Sequence, residues 1–147
     1  MARIIKKFFE EITYIGGLFF FIFLIALFFF AGMRNYSIKL FIVLIGIYII
    51  TGIIRIIYFK QRPKKEEYDN FIEKIDASSF PSMHSARITF LCLFTLIFLN
   101  LEFFIKAIII AFGILGVYSR VYLKKHDFVD VIGGILLGIF SLVVFLI

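Results

Sequence analysis

Long apolar runs separated by short charged stretches dominate the chain, and their lengths predict membrane-spanning helices rather than strands or soluble amphipathic helices. Five runs of roughly 20 residues match the thickness of a hydrocarbon core of about 30 Å. They lie at about residues 12–33, 38–59, 82–101, 103–122 and 127–147. Ahead of the first run, Ile4, Ile5, Phe8, Phe9 and Ile12 recur at helical spacing opposite Lys6, Lys7, Glu10 and Glu11. That pattern predicts a short helix lying in the membrane interface, with a packing role only. Arg34-Asn35-Tyr36-Ser37 reads as a tight turn between the first two spans. Pro63 ends the second, because proline disfavours helical geometry at the residue before it. Gly133, Gly134 and Gly138 in the last run allow close helix contact.

The only sizeable polar segment runs from Lys64 to Phe80. Within it Tyr68, Phe71, Ile72 and Ile75 make one apolar stripe among acidic residues. A second interfacial helix is expected there, placed as a lid or lateral gate. The fold expected is therefore all-α: a polytopic bundle of five transmembrane helices with short interfacial helices, forming a single domain over residues 1–147.

Composition sharpens this picture. At 63% hydrophobic and with 22 Phe, the chain is too apolar for a soluble globule and fits an integral membrane protein. A net charge of +6 is modest and does not call for nucleic acid; the basic residues sit at segment ends, where lipid phosphates lie. The single Cys92 forms no internal disulfide and reads as a small apolar filler. The first run is longer than a signal-peptide core and lacks a small-residue cleavage site, so it is expected to stay in the membrane.

Five spans put the N-terminus and the 64–80 and 123–126 loops on one face. That face holds 13 of the 16 Lys and Arg, and both His. Taken as a positive-inside count, the asymmetry favours the cytoplasmic side of a cell membrane. Depth is more telling. Arg55, Arg87 and Asp130 lie inside their apolar runs, where a charge costs at least about 2.5–3.5 kcal/mol at the bilayer centre. One such arginine snorkels to the surface without consequence. Several entering from the same face on different helices predict one polar pocket.

Three short stretches would line it. In the first, Arg55 and Arg62 stand seven residues apart, two helical turns, and point the same way. In the second, Pro81-Ser82-Met83-His84 opens a helix, where free backbone N–H groups favour anions. In the third, Ser119 and Arg120 precede His126 and Asp130; four residues apart, these two would share one helix face. Singly, each stretch has a plain structural explanation, such as a cap, a solvated histidine or a basic juxtamembrane loop. Together they offer the cations, N–H groups and imidazoles of a phosphoryl-transfer site that requires no metal or other cofactor.

The three stretches resemble the signature of the type-2 phosphatidic acid phosphatase superfamily, K-x6-R-P, P-S-G-H and S-R-x5-H-x3-D. Here they read R-x6-R-P from Arg55 to Pro63, P-S-M-H from Pro81 to His84, and S-R-x5-H-x3-D from Ser119 to Asp130. The resemblance implies that His126 is a nucleophile forming a phosphohistidine, with Asp130 orienting it. His84 would protonate the leaving oxygen and then activate water. Arg55, Arg62, Ser82, Ser119, Arg120 and the Met83 backbone N–H would bind phosphate. The implied partners are a lipid phosphate or diphosphate and the bilayer itself. A phosphotransferase using the same histidine and a non-catalytic head-group binder are the alternatives. Two departures stand out: Arg55 replaces the family's Lys, and Met83 replaces its Gly, so that a side chain is expected to intrude near the phosphate. Many relatives have six spans, and the motifs here fall as if the first were missing.

Overall fold

A computed structural model describes residues 2–146, and among them there are seven α-helices and no strand. Helix α1 (Ala2–Ile12) leads through a 3-10 turn (Thr13–Gly16) into α2 (Leu18–Phe30). Then come α3 (Arg34–Ile57), α4 (Phe71–Ala77), α5 (Met83–Phe98), α6 (Phe103–Tyr122) and α7 (Phe128–Leu146). Three of them, α3, α6 and α7, are long and apolar enough to cross a membrane. Their outward side chains are apolar, as on Ile53, Ile114 and Leu136, each more than half exposed. This reverses the arrangement of a soluble protein.

The first expected span is not one continuous helix. Gly17 adopts an extended conformation (φ −67°, ψ 155°), and its N–H donates to Tyr14 O at 2.9 Å, closing the 3-10 turn. The stretch before it (Arg3–Gly16) and α2 meet at a 41° bend. Helix α2 has 13 residues, about 20 Å at 1.5 Å per residue, short of a full bilayer core. Hydropathy does not register the break, since Ile12, Ile15 and the Gly16–Gly17 pair are all apolar.

Other boundaries move less. Arg34 to Ser37, expected as a turn, form the first turn of α3. The chain reverses instead at Gly32, whose φ of +81° suits glycine. Helix α5 runs for 16 residues, shorter than expected at its C-terminal end, with Ser82 as its N-cap. Helix α6 matches residues 103–122, and the last residue of the fifth expected span, Ile147, lies outside the described residues.

Helix α5 is the centre of the molecule, with its broadest contact against α7 and a second against α6. The α5–α7 approach is close because Gly134 and Gly138 carry no side chain. A Cβ at Gly138 would lie 2.6 Å from Ala86 O, and one at Gly134 would strike Ser82 O. Below the polar end, Phe90, Phe94 and Phe145 stack with Phe21, Leu40 and Ile47 into the core. Helix α5 is thereby held so that its N-terminus opens on the face carrying the basic residues.

Candidate active site

The polar cluster is assembled from four places in the chain. The C-terminal end of α3 contributes Arg55, which is 3% exposed and whose Nη2–H donates to Pro81 O at 3.2 Å. Its Nη1 donates to Ile75 O and Asp76 O, both at 3.3 Å, so Arg55 fastens the α4 segment to the start of α5. Five residues on, Lys60 reaches the other side of the cluster: its ammonium donates to Asp127 Oδ2 at 2.6 Å and Asp130 Oδ1 at 2.8 Å. Burial would lower the Lys60 pKa, but these two hydrogen bonds outweigh it and hold the group above its ordinary value. Arg62 pairs with Glu66 and donates to Asp76 O at 2.6 Å. Burial raises the Glu66 carboxyl and Arg62 lowers it further, leaving it below the usual carboxylate range. The 64–80 segment is thus stitched onto the cluster, with Lys64 N–H also donating to Lys124 O at 3.1 Å.

The start of α5 brings Ser82, Met83 and His84. Ser82 Oγ accepts the Ser85 N–H at 3.3 Å and the Ser85 hydroxyl at 3.0 Å, an N-cap that leaves its own proton uncommitted. Ser82 N–H donates to Asp130 O at 3.0 Å, which joins the second motif to the third. The amides of Met83 and His84 are first-turn groups without an intrahelical acceptor. The Met83 side chain packs against the apolar core. The expected intrusion near the phosphate is therefore corrected: the Met83 side chain joins the apolar packing rather than the polar cluster.

The end of α6 and the start of α7 bring the rest. Lys124 takes a left-handed conformation (φ 56°), and the chain doubles back so that the N–H groups of Lys125 and His126 donate to Arg120 O at 3.0 and 3.1 Å. His126 therefore lies in the loop before α7, not on a shared helix face with Asp130. Asp127 and Asp130 cap α7 reciprocally, each carboxylate accepting the other's N–H at 3.0 Å. Asp130 is fully buried, and His126 Nδ1 stands 3.6 Å from its Oδ2. At that distance the ring makes no hydrogen bond to Asp130, whose two oxygens accept instead from the Lys60 ammonium and the Asp127 N–H.

Electrostatics tie these pieces together. Burial, then the charges of Arg120, Arg62 and Arg55, push the His126 pKa down to about 3. The ring is thus neutral at physiological pH, with three guanidinium groups from three segments acting on it. The Nε atoms of Arg55, Arg62 and Arg120 and the Nδ1 of His126 are buried without a hydrogen-bond partner among the described residues. Buried donors of this kind are costly unless an acceptor reaches them. An oxyanion is the acceptor that suits a ring of arginines.

Three other groups were not singled out as site residues from the sequence. Lys60 has its spacing hidden among other basic residues, and Asp127 looks like any polar loop residue. Thr13 comes from the 3-10 turn: its Oγ1 lies 3.2 Å from His84 Nε2, 3.3 Å from Ser119 Oγ and 2.7 Å from Arg120 Nη1. Ser119 spends its own proton on Gly116 O at 2.6 Å. Arg87, expected to line the pocket, instead donates to Gly16 O and to Tyr48 Oη, both at 2.9 Å, and fixes the turn in place. Among the described residues no three His, Cys, Asp or Glu side chains gather as a metal-binding set.

A family model described as PAP2 superfamily matches residues 36–147, and the chain belongs to that superfamily, whose members are phosphatases. The matched stretch contains all three motifs and excludes α1, the 3-10 turn and α2. No solved structure matches the chain.

Proposed function

We propose that this member of the PAP2 superfamily is a multi-pass membrane phosphatase that hydrolyses a lipid phosphate or a polyprenyl diphosphate through a phosphohistidine. The observation that carries the reading is the arrangement of Arg55, Arg62 and Arg120 around a neutral, buried His126, each with an unspent buried N–H. The guanidinium groups, the Met83 amide and the Ser82 hydroxyl hold the phosphoryl oxygens. Charge builds on those oxygens in the transition state, and preorganised donors stabilise it there. His126 attacks phosphorus, forming a P–N bond as the P–O bond to the lipid breaks, and His84, in the imidazolium form that the bound phosphoryl anion favours, gives the leaving oxygen the proton of the ring nitrogen that faces away from Thr13. Water then attacks the phosphohistidine, with His84 taking the proton back and phosphate departing. Asp130 lies beside the His126 ring and stabilises the cation that forms on attack.

A lipid substrate is supported by a second feature. An apolar groove of about 520 Å³ runs between α5, α6 and α7, and Val121 and Phe128 at its rim flank the His126 loop. A tail in that groove leaves its head group at the basic face. In this reading all five apolar segments cross the bilayer, with α5 enclosed by the longer helices and α2 completing its crossing through the bent connection to α1. The charge count favours the cytoplasmic face for the site.

The test is phosphate release from a panel of lipid phosphates and diphosphates by the purified full chain. Turnover in wild type and its loss in His126→Ala are expected. Turnover that persists in His126→Ala excludes the phosphohistidine, and binding without turnover returns the chain to a head-group binder. Product analysis with an added alcohol distinguishes transfer to that acceptor from hydrolysis.

A further inference from the structure

Thr13 lies outside the stretch that the family model covers, yet its hydroxyl touches three groups of the site at 2.7–3.3 Å. We propose that Thr13 is a positioning residue that holds the proton of His84 on Nε2 and sets the direction of Arg120; this rests on the phosphatase reading above. Proton counting leads to it. Arg120 Nη1–H donates to Thr13 Oγ1, and Ser119 donates its proton to Gly116 O. Ser119 Oγ is therefore an acceptor toward Thr13, and the Thr13 proton goes to it. The second lone pair of Thr13 Oγ1 then accepts from His84, which requires the proton on Nε2. With the opposite tautomer, one Thr13 proton would have to serve both His84 and Ser119, and one contact would set lone pair against lone pair.

The turn that carries Thr13 is built to stay where it is. Arg87 Nε–H donates to Gly16 O at 2.9 Å, and a Cβ at Gly16 would sit 2.7 Å from His84 Nε2. On the other side Phe9 packs against Tyr118 and Tyr122 of α6, with Phe9 and Ile12 buried. Thr13 is thus a fixed wall of the site. It settles which ring nitrogen of His84 carries the proton when a phosphoryl group arrives.

The chain has two histidines, so ¹⁵N-histidine NMR of the full-length protein in detergent resolves both, with His126→Ala assigning them. Wild type is expected to show His84 protonated at Nε2. Thr13→Val should lose that tautomer preference with the His126 signals in place, which also reports that the variant is folded; Thr13→Ser should keep it. In turnover, Thr13→Val should lower kcat roughly 10- to 100-fold with KM within about threefold, and Thr13→Ser should recover most of the loss. An unchanged His84 pattern in Thr13→Val, or a Thr13→Ser protein that behaves like the valine variant, overturns the proposal. If Thr13→Val does not fold, Thr13→Ala against Thr13→Ser in the same spectra makes the comparison. Absence of turnover in wild type would instead remove the phosphatase reading, while the spectra still decide the Thr13 contact.

Discussion

His126 is neutral because its surroundings are dry and positive, and two outcomes follow. Its pKa falls from 6.5 to about 3 on folding. Between those values the unfolded chain binds a proton that the folded chain refuses. Stability from this group is therefore complete above about pH 6.5 and is lost as pH falls toward 3. Thermal unfolding followed across that window should show a falling midpoint, and His126→Gln should flatten the fall. The opposite slope would mean that the ring is charged in the folded state. For chemistry, Arg120→Lys keeps the charge but loses the planar fork that links Thr13 to the cluster. It should lower kcat/KM by about 1.5–3 kcal/mol, the range for a hydrogen bond to a charged group. An equal drop in Arg120→Lys and Arg120→Ala would show that geometry, not charge, is what this position supplies.

At the scale of elements, the site depends on how closely helices meet. Helix α7 presents Gly134 and Gly138 to α5, and a side chain at Gly138 would have to displace the Ala86 carbonyl and Thr89 Cβ. Gly138→Leu should destabilise the folded protein by about 1–3 kcal/mol, as overpacking does, measured by denaturation in detergent. Gly46, with open space around its Cβ position, tolerates Ala and serves as the control. The Lys60 bridge to Asp127 and Asp130 also belongs to this scale, because it ties the segment after α3 to the cap of α7. Lys60 is partly exposed, so Lys60→Met should cost about 1–3 kcal/mol, less than a fully buried pair, with Lys60→Arg milder.

For the whole molecule, the question is how the chain sits in its membrane. The basic residues and the cluster share one face, and the proposed orientation places the 64–80 segment in the cytoplasm. A cysteine introduced at Lys65 should react with an impermeant reagent only after the cytoplasmic side is opened. Reaction from outside in intact cells would reverse the topology while leaving the chemistry of the site untouched. Cys92 in α5 is replaced by Ala in that experiment so that it gives no background.

Much of this protein was legible in its order of residues. Helix is the backbone form that satisfies its own hydrogen bonds in lipid, so five apolar runs required an all-α answer, and α6 falls on the predicted residues. Arg55, Arg87 and Asp130 stood out because charge inside apolar sequence is costly and demands company, and Arg62, His84, Arg120 and His126 stood out through the spacing of the three motifs. Tertiary structure decided the rest. Hydropathy is blind to the bend at Gly17, since an extended glycine is as apolar as a helical one. It likewise gave no sign that Met83 turns into the core, that Lys60 takes the carboxylate expected to serve His126, or that Thr13 joins His84 from 71 residues away. Periodicity and composition report local order, whereas these contacts join distant segments brought together only when α1, α3, α6 and α7 close around α5.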